Sequence, residues 1–165
     1  MTPSPPPSKT GTGSAPAQGV ADINVSEDND YSAGIVVITQ YYTYLGNGLH
    51  EKAYELYLRT ARLDLDDYNH DVHEGCHITS MAGTWLSVVQ GFGGMRNFDN
   101  TLSFSPTIPK QWESYSFKIN YRGATIKVFK SHEETKFINL SDIPVTITVN
   151  DKKILIASEG LVTYK

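Results

Sequence analysis

Residues 115–128 read Tyr-Ser-Phe-Lys-Ile-Asn-Tyr-Arg-Gly-Ala-Thr-Ile-Lys-Val, and their alternation decides the fold. Large apolar side chains fall at Tyr115, Phe117, Ile119 and Tyr121 with polar residues between them, the period of two that buries one face of a strand. Arg122-Gly123 reads as a turn, and Thr125-Ile-Lys-Val128 resumes the pattern. Working outward, Leu102-Ser-Phe104, Val145-Thr-Ile-Thr-Val149, Ile154-Leu-Ile156 and Leu161-Val-Thr-Tyr164 repeat it, with Asn150-Asp151 and Glu159-Gly160 as further turns. Strand after strand with short connections predicts antiparallel sheets packed as a sandwich or jelly roll over residues 95–165.

Upstream the period changes. Tyr54, Tyr57, Leu58, Ala61 and Leu65 recur at spacings of three and four, one face of a helix beginning near Glu51. Asp64-Leu-Asp-Asp-Tyr-Asn is a polar, turn-prone exit. A second helix is expected from Thr79 or Ser80, whose hydroxyls suit an N-cap. It carries Met81, Trp85, Val88 and Val89 on one face until Gly91-Phe-Gly-Gly ends it. Ile35 to Tyr44 is β-branched and aromatic, and fits a strand by propensity but a helix by context. Residues 31–94 thus form a helical segment, too short to close a core of its own, and the class is α+β. Residues 1–30 hold no aromatic residue, and five of the chain's eight prolines lie before residue 20. Such a segment cannot bury enough surface to offset its ordering entropy and is expected to be a disordered tail.

Composition excludes several classes of function. With 14 basic and 18 acidic residues in 165, the net charge is −4, and no segment is basic enough for a nucleic-acid surface. The longest apolar run, Ile35-Val-Val-Ile38, is far short of the roughly 20 residues a membrane span needs. The polar, proline-rich start lacks the apolar core of a secretory signal, which makes a cytoplasmic location the default. The single cysteine, Cys76, has no internal disulfide partner and is expected to be a small buried residue.

The stretch with chemistry in it is His70-Asp-Val-His-Glu-Gly-Cys-His-Ile-Thr-Ser-Met-Ala-Gly-Thr-Trp85. A polar loop runs straight into a helix start, where several backbone N–H groups lack intrahelical partners and the helix dipole is positive. The imidazole of His77 and the hydroxyls of Thr79 and Ser80 add donors there, a combination suited to phosphate. The competing reading is that Thr79 or Ser80 only caps the helix. His70, His73, Cys76 and His77 are ligand-like, but no second cluster accompanies them and no metal is expected. Asp64, Asp66, Asp67, Asn69 and Asp71 lack the glycine and glutamate of a calcium loop and read as a solvated turn. Glu74 is a secondary candidate for a general base, beside the plainer reading of a turn residue.

At this loop the sequence also resembles glycoside hydrolase family 65. The resemblance rests on His50-Glu-Lys-Ala-Tyr-Glu-Leu-Tyr, Arg62-Leu-Asp-Leu-Asp-Asp-Tyr-Asn, His73-Glu-Gly-Cys-His-Ile-Thr-Ser-Met-Ala-Gly-Thr-Trp85 and Gly91-Phe-Gly-Gly-Met-Arg96. Leu102-Ser-Phe-Ser-Pro, Pro109-Lys-Gln-Trp112 and Phe117-Lys-Ile-Asn-Tyr-Arg-Gly123 extend it, so that about residues 46–165 are covered, and the motifs resemble those of the family's maltose phosphorylases. The family implies the last helices of an (α/α)6 barrel followed by a C-terminal β domain, a piece of a much longer chain. It also implies inverting phosphorolysis, in which inorganic phosphate is the co-substrate, no cofactor takes part, and a glutamic acid protonates the leaving oxygen of an α-glucoside to give glucose 1-phosphate. By that similarity His77, Thr79 and Ser80 fall in the phosphate-binding loop. Nothing in residues 1–45 resembles the segment bearing the general acid, so turnover by this chain alone is not expected. Disaccharide and phosphate are the partners implied for the parent enzyme, with a homo-oligomer as a further possibility. Two alternatives stay open: a non-catalytic interaction or carbohydrate-binding module, and part of a family 65 hydrolase in which Glu74 serves as base.

Overall fold

The computed structural model describes residues 41–165 except 43, 68, 69 and 71, and the backbone but not the side chain of residue 74. The expected tail at residues 1–30 and the Ile35–Ile38 run lie outside the described residues. Helical backbone at residues 41, 42 and 44–46 is followed by α1 (His50–Ala61), the single turn α2 (Leu63–Asp66), a 3₁₀ turn at Val72–Glu74, and α3 (Ile78–Leu86). The helix then widens into a π-helical turn, Ser87–Phe92. Eight strands follow: β1 (Arg96–Phe98), β2 (Thr101–Phe104), β3 (Ser114–Tyr121), β4 (Ala124–Ser131), β5 (Thr135–Asn139), β6 (Val145–Val149), β7 (Lys152–Ile156) and β8 (Leu161–Tyr164).

The strands form two four-stranded sheets, ordered β1-β2-β6-β7 and β3-β4-β5-β8. Alternation along β4, β5 and β6 points one face of each inward. The inner faces meet in one core, where Phe104 of the first sheet lies 5.2 Å from Phe137 of the second, ring centre to ring centre, among Ile126, Val128, Ile147, Val149 and Ile156. The sandwich is therefore as expected, with one correction: β2 and β6 run parallel, Ser103 opposite Thr148 and Phe104 opposite Val149. Each hairpin is antiparallel by itself, and the parallel pair arises only where β1-β2 and β6-β7 dock side by side. Three hairpin turns carry positive φ at both central residues, Asp99-Asn100, Arg122-Gly123 and Asn150-Asp151. That is the type I′ geometry which matches strand twist. Two strands escaped the sequence reading, β1 and β5.

β5 ends at Asn139, which is buried with its amide fully engaged. Its nitrogen donates to the carbonyls of Ile143 (2.7 Å) and Ala157 (3.0 Å), and its oxygen accepts from the Ser141 N–H (3.1 Å). One side chain thus pins two of the three connections that cross between the sheets, β5 to β6 and β7 to β8.

The helices pack in an unexpected sense. α1 lies against α3, yet the residues buried on them are small: Ala53 and Thr60 on α1, Ser80 and Gly83 on α3, and Ser87 and Gly91 beyond. Small residues let helix axes approach closely. Half of the face expected to be buried is outer, since Met81 and Trp85 are each 50% exposed, with Ile78 beside them at 69%, while Val88 and Val89 pack on the sandwich core. Only Val89 of the predicted set is fully buried, because the wide turn from Ser87 shifts the phase of the helix before it reaches the sandwich. Leu65, expected to extend the α1 stripe, sits exposed on α2, the chain having broken at Arg62.

A second cluster joins helices to sandwich. Phe92 and Trp112 are 5.2 Å apart, Tyr57 lies 5.2 Å from Trp112 and 5.7 Å from Phe92, and Tyr41 lies 5.5 Å from Phe92, all edge to face. The buried Tyr41 hydroxyl donates to the Ser87 carbonyl at 2.8 Å, and burial holds its pKa well above the usual phenol range. Tyr41 lies flat on Gly91, where a Cβ would sit 2.1 Å from the hydroxyl oxygen and 2.5 Å from a ring carbon. Gly91→Ala must expel that ring, and we expect a loss of about 2–3 kcal/mol in urea denaturation. Asn139→Leu, which conserves volume but removes the partner of three backbone groups, should cost about 2 kcal/mol by the same measurement.

Candidate functional site

The loop between α2 and α3 is shaped by its backbone before its side chains act. Asp67 ends α2 in the left-handed region (φ 49°) and accepts the Val72 N–H at 3.2 Å. Gly75 at φ 119°, open only to glycine at low cost, then swings the chain toward α3. Helix α3 begins at Ile78, with His77 as N-cap and no side-chain cap bond. The expectation that Thr79 or Ser80 caps the helix is thereby corrected: the helix starts earlier, and they occupy its second and third positions. The first bond of the α3 ladder runs from the Met81 N–H to the His77 carbonyl at 3.1 Å, so the Thr79 and Ser80 N–H groups precede it.

His77 is held by Asp64, thirteen residues earlier. The His77 backbone N–H donates to Asp64 Oδ2 at 3.0 Å, and ring Nδ1 lies 2.5 Å from Oδ1. Both side chains are about one-fifth exposed, 22% for His77 and 20% for Asp64. The hydrogen bonds from His77, first the ring and then the backbone, hold the Asp64 carboxyl below the usual aspartate range. The acids of this turn therefore have separate duties. Asp66 pairs with Arg62 through two contacts at 2.6 and 2.7 Å, Asp67 holds Val72, and Asp64 holds His77.

The structure distributes the sequence-derived candidates unevenly. His77 is half-buried at the helix start, Thr79 is exposed beside it, and Ser80 is buried toward the helix interior. Glu74 ends the 3₁₀ turn, and its side chain is not among those described. Cys76, expected to be buried, is exposed, because Gly75 lifts the chain there. Among the described residues no group of three or more His, Cys, Asp or Glu side chains is gathered to hold a metal. No helix of the described residues is long and apolar enough to cross a membrane. Asp64 was the residue that sequence reading passed over. The local pattern of acids spoke for a solvated turn, and nothing in it marks which acid reaches across the loop.

Comparison with known proteins gives this loop and the sandwich a common context. The profile described as the glycosyl hydrolase family 65 central catalytic domain matches residues 32–86, and that of the family's C-terminal domain matches residues 95–156. The chain belongs to glycosyl hydrolase family 65. It is 50% identical to the maltose phosphorylase of Bacillus subtilis (strain 168) over 108 residues, and 49% identical to the alpha,alpha-trehalose phosphorylase of Thermoanaerobacter brockii over 109. Each match covers 66% of this chain and 14% of the relative, so the chain spans a small part of the length of the curated family 65 proteins it matches. Among solved structures, a provisionally assigned kojibiose phosphorylase from human microbiome superposes with a TM-score of 0.70 at 30% identity, covering 81% of this chain and 18% of that one.

The Asp64–His77 pair has a pH signature. Because the folded-state pKa of Asp64 is depressed, its contribution to stability is present above the ordinary aspartate value of about 4 and is lost as pH falls through the lower folded value. The gap in Tm between the native chain and Asp64→Asn should be fully present at about pH 5 and narrow below pH 4. Thermal unfolding followed by circular dichroism across that range measures it.

Proposed function

We propose that this chain is part of a disaccharide phosphorylase and that its His77–Ser80 helix start is a phosphate contact of that enzyme. The observation that carries the reading is the coincidence of two independent features at one place. The segment matched by the family 65 catalytic profile includes, near its end, a helix start that brings together in sequence an imidazole, a hydroxyl and N–H groups ahead of the first ladder bond. Relatives at about half identity are maltose and trehalose phosphorylases.

The chemistry asked of such a site is phosphorolysis with inversion. A phosphate oxygen attacks the anomeric carbon, the glycosidic C–O bond breaks, and a carboxylic acid delivers a proton to the departing oxygen. Phosphate brings charge that must be held in place. The Thr79 and Ser80 N–H groups and the Thr79 hydroxyl supply directed donors, and the His77 ring in its protonated form supplies charge. The acid is assigned to residues beyond this chain, and Glu74 remains the base candidate should the parent hydrolyse its substrate instead. The exposed Ile78, Met81 and Trp85 face supports further helices packing there, as completion of an (α/α)6 barrel requires. A cytoplasmic setting fits an enzyme that draws on inorganic phosphate.

Titration of the purified chain with inorganic phosphate, followed by ¹H–¹⁵N NMR with sulfate as control, tests the reading. Saturable shifts at residues 77–81 are expected, with affinity falling about tenfold in His77→Ala as one charge-assisted hydrogen bond is lost. Glucose 1-phosphate release from maltose, trehalose or kojibiose should stay at background. No saturable shift, or equal affinity in the variant, rejects the phosphate contact.

A further inference from the structure

We propose that Asp64 is the positioning residue of this site: it fixes the His77 ring and keeps it in the cationic form, the only form that donates from Nδ1 to the carboxylate and from Nε2 to phosphate at once. The inference rests on the phosphate reading given above and adds the device by which the ring is held ready.

The geometry is a two-point grip on one residue. A carboxylate that merely accepted the His77 N–H would anchor the backbone and leave the ring free to rotate. Here the second oxygen also takes ring Nδ1, at 2.5 Å, so backbone and side chain of His77 are fixed by the same group. Asp64 is itself fixed, on a one-turn helix clamped by the Arg62–Asp66 pair and ended by Asp67. The grip also selects a proton arrangement. To meet a carboxylate, Nδ1 must carry a hydrogen. In a neutral ring the other nitrogen, Nε2, then presents a lone pair, which repels phosphate oxygen. Only the imidazolium donates from both nitrogens. The adjacent carboxylate favours that cation, and partial burial leaves the pair less screened than a surface pair. Asp64 thus places an anion near an anion site and still aids it, because its charge is directed to Nδ1 while a cation is sustained at Nε2.

The prediction separates Asp64 from a residue of purely structural value. In the purified chain with ¹⁵N-labelled histidine, near pH 7.5 and so about one unit above the ordinary imidazole value, the His77 ring should give imidazolium shifts with both nitrogens protonated. In Asp64→Asn the amide oxygen still accepts the backbone N–H, so the fold is kept, but the ring should become neutral. Phosphate affinity should then fall about tenfold to a hundredfold, and Asp64→Glu should restore part of the cationic signal. A native ring that is neutral with its proton on Nε2 overturns the proposal without recourse to any variant, as does an unchanged ring spectrum in a folded Asp64→Asn. If the ring is cationic through Asp64 but inorganic phosphate does not bind, the positioning role stands and the phosphate reading of the loop fails.

Discussion

Trp112 is the contact on which the rest of the molecule depends. It arrives on the β2–β3 connection, which crosses between the sheets, and inserts beside α1 and the wide turn, edge to face with Tyr54, Tyr57, Phe92 and Tyr115. Each such pair contributes about 0.5–1.5 kcal/mol beyond the area it buries. Nearby, Glu51 of α1 accepts from the Gln111 amide and pairs with Lys110, tying the same connection to the helix. The helices possess no core large enough to hold them together unaided, and their largest aromatic cluster is completed by a residue the sandwich supplies.

The helix pair shows why a hydrophobic pattern can be read correctly and placed wrongly. Tyr54 and Tyr57 repeat as a helix should, and both join the aromatic cluster. Met81 and Trp85 repeat equally well, yet they face outward. Close approach of α1 and α3 selects small residues, and Ala53, Ser80 and Gly83 are buried residues that a search for large apolar side chains does not see. A protein that carries its bulk on the outer face of a helix has a surface made to meet something.

Legibility in the sequence followed the range of the interactions. The β strands with clean alternation and the Arg122-Gly123 and Asn150-Asp151 turns were plain, since strand period and turn chemistry are local. β5 was missed because its polar ends, Thr135 and Asn139, are buried by partners that lie elsewhere in the chain. The parallel β2–β6 pair was invisible for the same reason. At the site, the residue types of His77, Thr79 and Ser80 marked the loop, and the family motif marked it independently. The start of α3, the exposure of Cys76 and the grip of Asp64 depend on the turn at Gly75 and on a contact thirteen residues long, and neither leaves a periodic trace.

The wide turn at Ser87–Phe92 sets the azimuth of everything upstream of it. A helix advances by about 100° per residue, and a turn that closes i to i+5 accommodates one residue more than the α-helix on either side would. Val89 enters the sandwich core and Phe92 the aromatic cluster, so the downstream end is anchored on two sides and cannot rotate. The angular position of α3, and with it the compass bearing at which His77 faces the chain around it, is therefore counted in whole residues from Phe92.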